Sequence, residues 1–484
     1  MIIINIEGLM KKIQKFIAIW TCFMIIPGFS LPGIAFGITT AEEEELTTEF
    51  LFYTFQNYKV VDDSVVIEYV NKVGQKLLSQ MPPQPFRYHF YVIKQDSYNA
   101  FAGPAGHIFI NSGLLEAMES EDELAGILGH EISHVNCRHI SDMIERSKIT
   151  GMATLAGVAA GILLGIGGAS EAASAVTVGS LAAGQSVSLA YSRENELQAD
   201  QTGLKYIEKA GYDVAGLLNI LKKIRNKTWY GSDEIPTYLV THPATEDRIS
   251  YIGSWLQSRK QPIPNTEKMP NYDFETTHSR ILALYTEKSM AFSKLKNSMK
   301  QNPKDPYTQY AYGLLLSRSG DRKNATVHLK KALEKRPFDQ VFIRDLGQTY
   351  FLDGQYELAL RFLESSASIP HFDPEGELYL ARTMKELKRP DEAIQRYQEL
   401  LAQRPQFSKA NFYLGEIYGE MGKMGDAHFH LGIYYKQEKN YKNAIFHLNK
   451  ALENLSDPEK KKSAQAMLGI VIEEKENQPD NLYK

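Results

Sequence analysis

Small residues recur every 34 positions in the C-terminal part of the chain, at Gly313, Gly347, Ala381 and Gly415. Twelve residues after each stands an alanine (Ala325, Ala359, Ala393, Ala427), and four later a large side chain (Leu329, Leu363, Tyr397, Leu431). Few folds tolerate so strict a period. It is that of tetratricopeptide repeats, in which each unit is a helical hairpin and the small positions let its two helices approach closely. Pro337 and Pro405 close two of the units. The period slips once: Gly432 follows Gly415 by 17 residues, half a repeat. A helix near residues 426–436 is therefore expected to close one hairpin and open the next. Upstream, Ala291, Leu295 and Pro303 fit the second half of a unit whose first half is degenerate. Such an array has a concave face. Tyr310, Tyr350, Tyr413 and Tyr435 either line it or pack between helices.

At 484 residues the chain has length to spare for other domains. A net charge of -4, with no basic block longer than Lys460 to Lys462, argues against nucleic acid as a partner. Two cysteines, Cys22 and Cys137, make a structural disulfide improbable. At the N-terminus, Lys11, Lys12 and Lys15 precede an uncharged run broken by Pro27 and Pro32, with small residues before the polar "ITTAEEEE". That pattern reads as a secretory signal cleaved near Gly37, hence an exported protein. The competing reading is a retained anchor. Residues 151–169 carry no charge and space Gly157, Gly161 and Gly165 four apart. They suit a packed or membrane-touching hairpin, extending to about residue 184, better than a true span.

Between these segments, apolar spacing from Thr47 to about Ser79 is helical, and "PFRYHFYVI" and "GHIFINSG" read as strands around a glycine-punctuated loop, "NAFAGPAG". A helix is expected from about Glu121 to Arg146, opened by a capping box of Ser120 and Glu123. Inside it lies "HEISH". On one helix, His130 and His134 are about 40° apart and can chelate one ion, while Glu131 can reach a water at the metal without ligating it. His139 falls on the far side of the same helix, where it reads as a core or surface histidine. The sequence "RENELQAD" puts Glu196 and Asp200 on one face of a second helix. A catalytic zinc takes three protein ligands and keeps an open position, with outer acceptors fixing its imidazoles. Glu196 can be the third ligand, with Glu194 as its competitor, and Asp200 can take the free ring N–H of His130. "THPATEDRI" adds His242, which either stabilises an oxyanion or fills the fourth zinc position and holds the site latent. Arg248 either supports the site or makes a structural ion pair.

With "NAFAGPAGHIFINSGLL", "HEISHVNCRH", "ENELQAD", Gly203, "AGYD" and "THPATEDRI" in this order, the chain resembles the HtpX-like zinc metallopeptidases related to the CAAX prenyl proteases. Within them the likeness is to BepA-like periplasmic members that append tetratricopeptide repeats. The resemblance implies an α+β fold: a mainly helical gluzincin-type metallopeptidase domain with a small β-sheet, followed by an α-helical solenoid. It also implies one zinc ion, endopeptidase activity on unfolded or misassembled proteins, and a role beside the outer-membrane assembly machinery. In that setting the edge of His107, Ile108, Phe109, Ile110 and Asn111 would hold an extended substrate by strand addition. The expected organisation is a signal peptide over residues 1–37, a peptidase domain over 38–262, a Pro-rich linker over 263–280 and repeats over 281–475. The rival reading is a chaperone or adaptor in which the repeats do the work and the zinc site is latent.

Overall fold

In the computed structural model, residues 38–149, 191–229, 236–258 and 273–476 are described. The expected signal segment and the glycine-rich hairpin lie outside them, as do 259–272, the first ten residues of the expected linker included. Among the described residues no helix is long and apolar enough to cross a membrane.

Two helices, α1 (Thr40–Asn57) and α2 (Ser64–Leu78), lead into a three-stranded sheet of β1 (His89–Ile93), β2 (Ala100–Ala102) and β3 (His107–Asn111). A short α3 (Ser112–Ala117) follows, then α4 (Glu121–Asn136) and α5 (His139–Ile149). The second half of this unit holds α6 (Arg193–Lys209), α7 (Ala215–Trp229), α8 (Thr237–Thr241) and α9 (Thr245–Gln257).

The strand order β1-β3-β2 corrects one expectation. His107–Asn111 is the central strand, parallel to β1 and antiparallel to β2, so both of its edges are already paired and it cannot receive a peptide. The stretch expected as a loop contains β2. There Asn99 O accepts from Asn111 N and Gly103 N donates to His107 O. Antiparallel alternation then turns the N–H and C=O groups of Ala100 and Ala102 away from β3. His107 itself stacks against both His89 and Tyr91, its Nδ1 3.1 Å from the Tyr91 hydroxyl, and burial pushes its pKa down to about 4.

The helix expected over 121–146 is two helices. Ser120 caps α4 by accepting from Glu123 N, but the Glu123 carboxylate turns to Glu119 N and Lys223, so the box is not reciprocal. The break falls at Arg138, which is left-handed (φ 63). Its guanidinium is held by Ile38 O at 2.8 Å and by the buried Glu43 carboxylate at 2.7 Å. Glycines bring three helices together: a Cβ on Gly129 would lie 2.6 Å from the Ile207 side chain, one on Gly203 3.1 Å from Gly129 O, and one on Gly126 2.7 Å from Leu217 N. Helix α4 is thereby pressed onto α6 and α7.

The final seven residues of the expected linker are a helix, α10 (Phe274–Arg280), which runs into a wide turn at Ile281–Tyr285. Eleven further helices complete the array: α11 (Lys288–Gln301), α12 (Pro306–Arg318), α13 (Arg322–Lys335), α14 (Gln340–Leu352), α15 (Tyr356–Ala367), α16 (Pro374–Glu386), α17 (Pro390–Gln403), α18 (Ser408–Glu420), α19 (Met424–Gln437), α20 (Tyr441–Asn454) and α21 (Pro458–Glu476). The repeat glycines sit where a side chain would strike the partner helix: Gly313 faces Leu329, Gly347 faces Leu363 and Gly415 faces Leu431. Gly432 faces Leu448 in the same way, so α19 is the second helix of one hairpin and the first of the next. Tyr310 and Tyr350 are buried between helices, whereas Tyr413 and Tyr435 are only partly covered.

The repeats are seated on the peptidase unit through buried charge. Arg280 pairs with Asp63, the cap of α2, and with Asp345 on α14, which also receives Tyr310 and Arg344. Removing one member of a buried pair strands the other. Arg280→Ala is expected to cost roughly 3–5 kcal/mol of stability, measured by urea denaturation. A change within experimental error would mean that the contact contributes nothing net.

Candidate metal centre

Because α4 and α6 approach at Gly129 and Gly203, the faces bearing His130 and His134 meet those bearing Glu196 and Asp200. His242, from the turn after α8, completes the cluster: ligand atoms of His130, His134, Glu196 and His242 all lie within 4.8 Å of one another, and all four residues are fully buried. His130 Nε2 is 3.0 Å from His134 Nε2 and 3.3 Å from His242 Nδ1. Glu196 Oε1 is 3.0 Å from His242 Nδ1 and 3.4 Å from His134 Nε2, and Glu196 Oε2 is 3.4 Å from His130 Nε2. Donors bound at about 2.0–2.1 Å to one tetrahedral ion stand about 3.3 Å apart. The four atoms therefore fit a single ion.

Unsatisfied polar atoms point the same way. Both Glu131 carboxylate oxygens and His242 Nε2 are buried without a hydrogen-bond partner among the described residues. Such atoms require an ion, a water or a ligand to offset their desolvation. Glu131 Oε1 is 3.7 Å from His242 Nε2, and burial raises the Glu131 pKa above the usual carboxylate value.

Around the donors, Asp200 Oδ1 lies 2.8 Å from His130 Nδ1, and Arg248 forks onto Asp200 at 2.8 Å while reaching Glu196 at 2.6 Å. Burial and the Arg248 charge pull His130 down, but Asp200 and Glu196 prevail and raise it to about 9. For Glu196, burial opposes ionisation, yet Arg248 and His242 hold its carboxyl well below the usual range. Glu194 is exposed and outside the cluster.

Sequence reasoning misplaced His139 and missed two aromatic rings. The left-handed residue at Arg138 turns the chain back, so His139 is buried with Nδ1 3.0 Å from His134 Nδ1 instead of lying on the far side of one long helix. The Tyr191 ring stacks on His134 at 3.7 Å, and that of Tyr238 on His242 at 4.3 Å. Both tyrosines border motifs that were read, "SRENELQAD" and "THP". Nothing in their spacing marks them, since they reach the site only through tertiary packing. The segment carrying His242 is fixed by two backbone bonds, Tyr238 N to Tyr98 O at 3.2 Å, just before β2, and Tyr191 N to Thr241 O at 3.1 Å.

The profile of peptidase family M48 matches residues 66–256, and tetratricopeptide profiles match residues 375–406 and 425–454. A relative from Vibrio cholerae is 31% identical over 255 residues, 52% of this chain and 51% of its own length. The beta-barrel assembly-enhancing protease of Yersinia pestis is 27% identical over 75% of this chain and 74% of its own length. The protein of that name from Escherichia coli K12 is 29% identical over 47% of this chain and 45% of its own length. The match thus spans about half the length of two of these relatives and three quarters of the third.

Proposed function

For a chain whose residues 66–256 belong to peptidase family M48 and whose C-terminal part is built of tetratricopeptide repeats, we propose a zinc-dependent endopeptidase that cleaves unfolded or misassembled proteins. The observation that carries this reading is the buried convergence of His130, His134 and Glu196 beside the unpartnered carboxylate of Glu131. His130, His134 and Glu196 would hold the zinc. When bound, the ion supplies Lewis-acid polarisation of the scissile carbonyl and makes water nucleophilic near neutral pH. Glu131 takes a proton from the attacking water and later passes it to the leaving amine. Asp200 accepts the His130 Nδ1–H and so leaves Nε2 free to coordinate. Arg248 keeps Asp200 and Glu196 ionised. The extended substrate pairs with the outward edge of β2, at Ala100 and Ala102, the strand edge turned away from β3.

His242 acts as a fourth ligand in a latent state. Three protein donors leave a position for chemistry, and four close it. With every donor buried, substrate enters when the 236–244 segment, which carries His242 and is bonded to Tyr98, moves aside. The same closed set supports a second reading, a chaperone or adaptor whose repeats dominate and whose zinc stays latent.

Relatives named for enhancing β-barrel assembly support clients among β-barrel proteins, and the N-terminal pattern read as a signal cleaved near Gly37 supports a periplasmic setting. The repeats would recruit clients or the assembly machinery, and residues 151–184 would touch the membrane peripherally. The test is cleavage of an unfolded β-barrel protein by residues 38–484, with zinc content measured in parallel. A chain that holds zinc but cleaves nothing favours the adaptor reading, and one that holds no zinc removes both.

Zinc affinity carries a pH signature. His130, raised to about 9, is protonated at neutral pH and must lose its proton to coordinate. Affinity therefore rises with pH up to that value and falls about tenfold per unit below it. Chelator competition at pH 6.5 and 8.5 is expected to differ by about a hundredfold. Equal affinities would exclude a protonated His130 in the metal-free site.

A further inference from the structure

From the geometry behind His134 we infer that His139 and Gln198 form a hydrogen-bond relay that fixes the tautomer of His134 and orients it towards the metal. This rests on His134 being a ligand. His134 presents Nε2 to the cluster, 3.0 Å from His130 Nε2, so its proton must reside on Nδ1. Among the described residues that Nδ1 faces no carboxylate, unlike the Nδ1 of His130, which has Asp200. It faces His139 Nδ1 at 3.0 Å, and His139 Nε2 is 3.0 Å from Gln198 Oε1.

Only one proton arrangement serves both contacts and leaves Nε2 of His134 free. The amide oxygen of Gln198 accepts from His139 Nε2–H, which leaves Nδ1 of His139 as an acceptor. That atom then takes the proton offered by His134 Nδ1–H. Reversing the amide would reverse the whole chain and put a proton on His134 Nε2, where it would block coordination. The two histidine ligands thus have outer partners of different character: an ionised carboxylate held by a buried arginine for His130, and a neutral relay ending at the surface for His134. The relay exists because of the fold-back at Arg138, which Ile38 and Glu43 hold in place. Gln198 is exposed and two residues from Glu196, on the same helix. Its side chain can be changed without disturbing the core.

His139 and Gln198 are positioning residues, and the test uses zinc affinity by chelator competition together with the visible spectrum of the cobalt-substituted chain. Gln198→Leu removes the terminal acceptor and is expected to weaken zinc about tenfold, within the range of such outer partners. Gln198→Glu keeps an acceptor and strengthens it, so affinity should match or exceed wild type, with a cobalt spectrum shifted in the opposite sense to that of the leucine variant. A side chain that merely packed would not distinguish these two substitutions by sign. His139→Leu should lose at least as much affinity as Gln198→Leu. If wild type binds zinc, His134→Ala loosens it and Gln198→Leu does not, the relay is wrong while the ligand assignment stands. If His134→Ala leaves zinc affinity unchanged, the assignment fails and takes the relay with it.

Discussion

Glu131→Gln is expected to abolish measurable cleavage, by a factor of about 10²–10⁴, the span commonly lost with a general base, while zinc content stays at one ion per chain. Both halves follow from where the side chain lies. Glu131 is fully buried and next to the donors without belonging to the set, so its loss removes no ligand. Neither of its oxygens has a hydrogen-bond partner among the described residues. The isosteric amide therefore breaks no existing bond, and a folding defect is not expected to mimic loss of catalysis. The amide cannot accept and return a proton at neutral pH, so the deficit falls on the chemical step. Cleavage of an unfolded β-barrel substrate, with metal analysis of the same preparation, makes the measurement. Undiminished cleavage by the glutamine variant would remove Glu131 from the mechanism. Loss of zinc together with cleavage would make it a ligand instead of a base.

The parts of this site that could be read from sequence are those generated by local periodicity. His130 with His134, and Glu196 with Asp200, each share a helix face because 3.6 residues make a turn. The repeat glycines declare their partners through a fixed offset, and the half-repeat at Gly432 follows from the same offset. What could not be read depends on contacts between distant segments. The inward turn of His139 needs Arg138 in a left-handed conformation, and that is held by Ile38 and Glu43, about a hundred residues earlier. A periodic helix carried through Arg138 gives the opposite direction for His139. The central position of β3 was likewise hidden, because alternation within a strand reports its faces and not its neighbours. β2, three residues inside a glycine-rich stretch, is too short to announce itself. Tyr191 and Tyr238 belong with these: ordinary residues by spacing, and part of the site only because α8 is bonded both to Tyr98, ahead of β2, and to Tyr191, ahead of α6.

His242→Ala carries the second large effect, and its sign separates the two roles open to that residue. As a fourth donor, His242 competes with substrate for the position where chemistry occurs. Its Nδ1 stands 3.0 Å from Glu196 and 3.3 Å from His130 Nε2, inside the spacing of a single tetrahedral shell. Its ring is clamped by Tyr238 at 4.3 Å, on a segment bonded to Tyr98 just ahead of the β2 edge proposed for substrate. Removing the imidazole opens the metal and loosens that segment at once. Cleavage is then expected to rise about tenfold or more, equivalent to lifting about 1.4 kcal/mol of bias towards the closed state. Zinc should also become more accessible to a chelator, since one donor and the ring over the opening are gone. As a stabiliser of the oxyanion, the same histidine would be missed in the transition state, and cleavage would fall by about 10²–10³ with zinc accessibility unchanged. That result would overturn latency. The two ring nitrogens divide the roles: Nδ1 is turned to Glu196 and His130, the atoms that would share the ion, while the unpartnered Nε2 faces Glu131 at 3.7 Å, so the sign of the change in cleavage decides between them.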